Sequence, residues 1–322
     1  MSGHKVKGST TIFIIFATPA ESEEDGRISR INMEVRAKKA LGQHFLTDRS
    51  IAESIVAALR LPENGSDVIG GNDTAGEGTP DGKTTRFPSQ VLEIGPGTGV
   101  LSQYLLQRPE ADLKMIEIDT ESVDYLHRHF PAAAGRVIPG DFLKLDLDRL
   151  FPGDFNVIGN FPYNISSQIF FRILDFRERI PQVVCMIQKE VAERIAEKPG
   201  SKTYGILSVF LQAWFDIEYL FTVGSGAFAP PPKVQSAVIR LTRNSRTNLG
   251  CDEALFRSIV KTSFGQRRKT LRNSLKPVIA AKASREGWDA GRLGEFTSEP
   301  VFDLRPERLG VEDFIALTEK LS

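Results

Sequence analysis

"VLEIGPGTG", Val91 to Gly99, is a short apolar run that stops at three glycines spaced two apart, and "GVLSQYLLQR" after it carries the spacing of a helix. A strand that turns through glycine into a helix is the opening unit of a parallel α/β sheet. Gly95, Gly97 and Gly99 let the backbone come close to a ligand at that helix N-terminus.

The same alternation continues downstream. "LKMIEID" (113–119), "RVIPGD" (136–141), "FNVIGN" (155–160) and "VVCMIQ" (183–188) read as strands, with "TESVDYLHRHF" and "SSQIFFRILDF" as helices between them. "DIEYLFTVGS" and "SAVIRLTR" add two β-like runs around the proline-stiffened "GAFAPPPKV". The pattern predicts a doubly wound, Rossmann-like α/β sheet of seven strands that ends in an antiparallel pair. After Arg243 strand signals stop. "DEALFRSIVKTSF", "QRRKTLRNSLKPVIAAKA" and "VEDFIALTEKL" predict a small all-α domain over 244–322, following a main domain over 33–243. Upstream, "DRSIAESIVAALRL" (48–61) reads as an amphipathic helix. Residues 64–88, rich in Gly, Asp and Thr, read as a flexible insertion without chemistry. Residues 1–32 read as a loose extension, or Met33 as the true start. Their apolar run is at the short end for a secretory signal and far too short to span a bilayer, and Pro19 sits poorly near a cleavage site.

Composition narrows the function classes. The chain has 322 residues, 41% of them apolar and 25% charged, which suits a globular protein with a real core. Its formal net charge is zero, so any nucleic-acid surface must be local rather than global. Two distant cysteines, Cys185 and Cys251, suggest a reduced, cytoplasmic setting, and the four histidines lack metal-ligand spacing. No membrane span and no metal are expected, and no left-over apolar stripe calls for an oligomer, so a monomer is expected.

The strand ends carry the chemistry. Glu117 and Ile118 close the second strand, where a carboxylate can hold both hydroxyls of an adenosine ribose. Asp141 and Phe142 close the third, an acid and a ring suited to an adenine amine and its face. Ligands of open α/β sheets bind at such carboxyl ends. NAD competes as the cofactor, but the dinucleotide fingerprint lacks its Gly-x-x-Gly tail here, so S-adenosylmethionine is expected.

The fourth strand ends in "NFPY", Asn160 to Tyr163. The lone pair of an exocyclic aromatic amine is delocalised into its ring, which makes it a poor nucleophile. Two acceptors aimed at its hydrogens, the Asn160 side-chain oxygen and the Phe161 carbonyl, favour a more localised lone pair. Pro162 fixes the turn and brings no N–H to compete for that carbonyl. Tyr163 offers a ring face to a flipped-out base.

With these motifs in place, the chain resembles the bacterial small-subunit (16S) rRNA adenine N6,N6-dimethyltransferase family (KsgA/RsmA type). "KKALGQHFLTD", "VLEIGPGTGVLS", "IEID", "GDFLKLDL", "NFPYNISS", "QKEVAERI", "YGILSVF", "FAPPPKVQSAVIRL" and "FGQRRKTLRNSL" carry the likeness, in order, from Lys38 to Leu275. The resemblance implies a lid of His44 and Leu46 over S-adenosylmethionine. It implies cofactor contacts from Gly95, Glu117, Asp141 and Asn160, and places Phe228 on the far side of the target adenine. It implies dimethylation of two adjacent adenosines in a hairpin near the 3′ end of 16S rRNA, with the 30S subunit or its precursor as partner and no DNA. Phe161 stands where Leu is commoner in the family, and His44 where Asn is frequent.

From Lys233 to Lys276 basic residues are dense: Lys233, Arg240, Arg243, Arg246, Arg257, Lys261, Arg267, Arg268, Lys269, Arg272 and Lys276, with only Asp252 and Glu253 among them. This predicts an RNA-binding face carried by Lys233, Arg267, Arg268, Lys269 and Arg272, extended by Lys38 and Lys39. Three rivals share some of the features: a 23S rRNA dimethyltransferase of the macrolide-resistance type, a DNA adenine methyltransferase, and a non-catalytic ribosome-assembly factor.

Overall fold

The structure, a computed structural model, describes Val35, Ala37, Lys38 and residues 41–62 and 87–322. The 1–32 extension, Lys39 and the 64–88 insertion up to residue 86 lie outside the described residues.

In chain order the elements are β1 (Phe45–Leu46), α1 (Arg49–Ala57), β2 (Gln90–Ile94), α2 (Ser102–Leu105), β3 (Asp112–Glu117), α3 (Thr120–His129), β4 (Val137–Pro139), α4 (Leu147–Leu150), β5 (Asn156–Asn160), α5 (Ser166–Asp175), β6 (Gln182–Gln188), α6 (Lys189–Ala196), α7 (Ile206–Gln212), β7 (Phe215–Val223), β8 (Phe228–Ala229), β9 (Ser236–Arg243), α8 (Glu253–Gly265), α9 (Leu271–Ser274), α10 (Lys276–Glu286), α11 (Ala290–Thr297) and α12 (Val311–Leu321). The expected seven-stranded sheet is present, in the order β4-β3-β2-β5-β6-β9-β7. Its first five strands run parallel, and β9 is antiparallel to both β6 and β7. β6 is buried from Gln182 to Ile187, as a strand covered by helices on both faces must be.

Side-chain alternation divides the core. Val157, Val183, Cys185 and Ile187 join one cluster, while Ile158, Val184 and Met186 join the cluster on the opposite face of the sheet. The first cluster also contains Phe256, Ile259, Leu271 and Phe314, so the C-terminal helices share a core with the sheet. On the other face α1 buries Ala52, Ile55 and Val56, and the Asp48 carboxylate caps it by accepting from the Ser50 and Ile51 N–H groups.

Two helical expectations change. The run after the glycines is α-helical only over Ser102–Leu105, because Gly95, Gly97 and Gly99 all sit at positive φ and the chain leaves them through turns. "QRRKTLRNSLKPVIAAKA" is not one helix. Thr270 is extended, and Pro277 stands in the first turn of α10, where its missing N–H costs nothing, after a break at Leu275.

The segment between β7 and β9 leaves the main sheet. Within it β8 pairs antiparallel with β1, Phe45 opposite Ala229 and Leu46 opposite Phe228, and Thr47 N–H donates to the Ala227 carbonyl at 2.8 Å. This two-stranded ribbon spans the mouth of the sheet. No helix among the described residues is long and apolar enough to cross a membrane.

Candidate active site

β2 has β3 on one side and β5 on the other, so the strand order reverses there, and open α/β sheets place their ligands at such a point. A cavity of about 390 Å³ lies at the carboxyl ends of β2, β3, β4 and β5, within the range of roughly 300–1,000 Å³ typical of small-molecule sites. Of the residues expected to hold a cofactor, His44, Leu46, Gly95, Gly97, Glu117, Ile118, Asp141, Phe142 and Asn160 all line it.

The glycine loop is shaped by its neighbours. A methyl group on Gly95 (φ 66°) would meet nothing within 4 Å, so this backbone is open to a ligand. A methyl group on Gly97 (φ 56°) would come within 3.0 Å of the Phe45 ring, so β1 rests directly on the loop. Glu117 ties the loop to β3. One carboxylate oxygen accepts the Gly97 N–H and the other the Asp119 N–H, each at 2.9 Å. Burial pushes the Glu117 carboxyl up against the pull of these N–H groups. Ile118, 54% exposed at the rim, and Phe142, buried beside it, offer apolar faces suited to a purine. Asp141 accepts the Leu143 N–H at 3.0 Å and has Lys144 3.5 Å away.

Glu93 was not anticipated. It lines the cavity floor fully buried, with the Ser102 hydroxyl donating to it at 2.7 Å. Burial, aided by the nearby Glu117, raises its pKa from 4.5 to about 8 despite the Ser102 hydrogen bond. The folded chain therefore keeps a proton that the unfolded chain loses between those values. The stabilisation is complete below the unfolded value and disappears as pH rises through the folded one. Against Glu93→Gln, the parent is expected to lose about 1.4 kcal/mol of stability per pH unit between about pH 5.5 and 7.5. Urea unfolding of both proteins at the two pH values measures this, and parallel profiles would refute it.

At the β5 tip, Asn160 Nδ2 donates to the His44 carbonyl at 3.1 Å. A carbonyl can only accept, so this bond fixes the amide and leaves Oδ1 as its free acceptor. Phe161 is fully buried, with its ring edge-on to Phe170 and its N–H donated to the Met186 carbonyl at 3.0 Å. No hydrogen bond among the described residues occupies the Phe161 carbonyl. Pro162 lines the same wall. The Tyr163 hydroxyl is held by Ser236 at the start of β9, and burial keeps this phenol protonated against that bond. Asn160, Phe161, Pro162 and Tyr163 thus converge on the cofactor cavity. Phe228 does not. It is buried in β8 among Leu46, Val223 and Val238, and it supports the ribbon instead of facing the cavity.

The profile of the family described as ribosomal RNA adenine dimethylase matches residues 34–287. The chain belongs to this family. Among curated relatives it is 55% identical over 285 residues to the ribosomal RNA small subunit methyltransferase A of Parabacteroides distasonis, covering 88% of this chain and 93% of that one. It is 50% identical to the protein of that name from Cytophaga hutchinsonii, over 90% of this chain and 98% of that one. Among solved structures, a dimethyladenosine transferase from Plasmodium falciparum superposes with a TM-score of 0.63 at 22% identity, covering 86% and 96% of the two chains. The 23S rRNA methyltransferase ErmE superposes with a TM-score of 0.51 at 24% identity, covering 86% and 99%. Both structures speak to the fold alone.

The expected RNA face of this adenine dimethylase is narrower than its sequence implies. Lys38 is paired with Asp119 and Glu121 at the start of α3. Arg267 sits 3.9 Å from Glu307 and donates to the Ser201 carbonyl, and Arg272 pairs with Asp303 at 2.8 Å. Arg240, Arg243, Arg246 and Arg257 are likewise matched by Glu218, Glu178, Glu312 and Glu253. Lys233, Lys261, Arg268, Lys269 and Lys276 remain exposed with no carboxylate partner among the described residues.

Proposed function

We propose that this protein transfers methyl groups from S-adenosylmethionine to N6 of two adjacent adenosines in the 3′-terminal hairpin of 16S rRNA, within the small ribosomal subunit or its precursor. The relatives named ribosomal RNA small subunit methyltransferase A support this substrate over 23S rRNA and DNA. The observation that carries the chemistry is the Asn160 amide at the cavity wall, fixed through its nitrogen by the His44 carbonyl so that its oxygen is left as acceptor.

When bound, the cofactor supplies a methyl carbon made electrophilic by its sulfonium. Glu117 accepts from the ribose hydroxyls, Asp141 accepts from the adenine amine, and Ile118 and Phe142 flank the ring. Asn160 Oδ1 and the Phe161 carbonyl accept the two N6 hydrogens of the target, which orients its lone pair toward the methyl carbon. The bound cofactor would supply the methyl carbon to N6 and keep the electron pair of the broken carbon–sulfur bond as a thioether, and the N6 proton would leave to water. Tyr163, held by Ser236, stacks on the flipped base. No side chain need act as a general base, since positioning and fixed acceptors lower the barrier. The second transfer meets an amine with one hydrogen left, so one of the two acceptors suffices.

The test is labelled methyl transfer to 30S particles that lack the modification, beside 23S rRNA and duplex DNA. Transfer confined to the 30S arm is expected. Transfer to 23S rRNA alone would move the protein to the macrolide-resistance type, and no transfer at all would favour the assembly-factor reading. For RNA binding, Arg268→Glu with Lys269→Glu is expected to weaken affinity at least tenfold and to lower the salt slope by about two, with cofactor affinity unchanged. Filter binding across a salt series reads it, and equal loss of cofactor affinity would contradict it.

A further inference from the structure

His44 makes three contacts that belong to three different parts of the site. Its main-chain carbonyl orients Asn160. Its ring lies against Tyr163, centroids 5.4 Å apart and planes 28° from parallel. Its Nδ1 meets the Pro230 carbonyl at 2.9 Å. That carbonyl can only accept, so Nδ1 carries the proton and the imidazole is a donor to the loop. The loop from Pro230 runs through Lys233, exposed and unpaired among the described residues, to Ser236, which holds the Tyr163 hydroxyl. His44 itself sits in the segment that lines the cofactor cavity and continues into the β1–β8 ribbon.

We propose that the His44 imidazole is a positioning residue that couples RNA contact at the 230–235 loop to closure of the cofactor lid and to alignment of the Tyr163 ring. The inference rests on the reading of this site as an RNA adenine dimethylase. Its physical basis is short. Phosphates drawn to Lys233 hold the loop in one arrangement, and the loop holds His44 through the Pro230 carbonyl. His44 then holds the lid over the cofactor and backs one face of Tyr163, leaving the opposite face for the base. Coupling between two sites is reciprocal, so RNA that favours the closed lid tightens the cofactor by the same factor by which the cofactor tightens RNA.

The experiment measures S-adenosylhomocysteine affinity by calorimetry, for the full chain alone and with a saturating RNA hairpin that carries two adjacent adenosines. The parent protein is expected to bind it about fivefold tighter in the presence of RNA. In His44→Ala this factor falls to about one and kcat drops about tenfold. His44→Phe, which restores a ring beside Tyr163 without the Nδ1 proton, regains part of kcat relative to His44→Ala yet stays uncoupled. That split separates positioning from a general loss of fold. A factor near five in both variants, or none in the parent, overturns the coupling while leaving dimethylation intact. Failure of the parent to methylate any RNA strikes the assigned function first, and this inference with it.

Discussion

Replacing Asn160 by Ala is expected to lower the single-turnover rate of methyl transfer by about 10²–10³-fold, with cofactor affinity changed less than tenfold. The magnitude is that of removing one preorganised polar group from a site where charge develops in the transition state. The N6 amine gains positive character as it attacks, and the Asn160 amide at the β5 tip has its orientation fixed by the bond from Nδ2 to the His44 carbonyl, which leaves Oδ1 as acceptor. Alanine removes the acceptor and leaves the His44 carbonyl without its donor. Asn160→Asp separates these roles, because it keeps an acceptor but offers nothing to that carbonyl and sets two oxygens against each other. It is expected to fall between the parent and the alanine variant. Rapid-quench measurement at saturating cofactor and RNA decides the matter. An alanine variant within threefold of the parent would remove Asn160 from the chemistry.

Glu117→Ala is expected to weaken S-adenosylmethionine about 100-fold while RNA affinity without cofactor stays the same. Two hydrogen bonds from ribose hydroxyls to a carboxylate are each worth roughly 1.5–3 kcal/mol when shielded from water. The carboxylate also holds the Gly97 and Asp119 N–H groups, so its loss loosens the glycine loop and the β3 end together. Glu117→Gln has one accepting oxygen for these two N–H groups and is expected to lose about tenfold. Calorimetric titration of both variants provides the check, and an alanine variant that binds within threefold of the parent would place the ribose elsewhere.

The sheet and the cavity-lining residues at its strand tips were readable in the sequence because both leave local signatures. β6 is an unbroken apolar run, and the carboxylates and glycines of β2, β3 and β4 stand directly after their strands. What escaped depends on partners distant in sequence. β1 and β8 are two residues each, too short for any periodicity, and their pairing joins Phe45 to Ala229 across most of the chain. The basic run from Lys233 to Lys276 looked unopposed because only its own acids were counted. Glu178, Glu218, Asp303, Glu307 and Glu312, outside the run, neutralise much of it. Phe228 looked like a base-stacking ring, but its side of β8 faces Leu46 and Val238 in the core. Glu93 had a signal that went unused: a single carboxylate inside the otherwise apolar "VLEIG" run beside the glycine loop.

The C-terminal helices have no interior of their own. Phe256, Ile259 and Leu271 are packed into the same cluster as Val157 of β5, the strand that ends in Asn160, and Ile187 of its neighbour β6. Arg268 and Lys269, between α8 and α9, are therefore held at a constant span from Asn160, as the jaws of a caliper are held by its beam. Under the proposed function, such a span would select its substrate: an RNA would engage both ends at once where its gripped backbone and protruding purine are separated by that length.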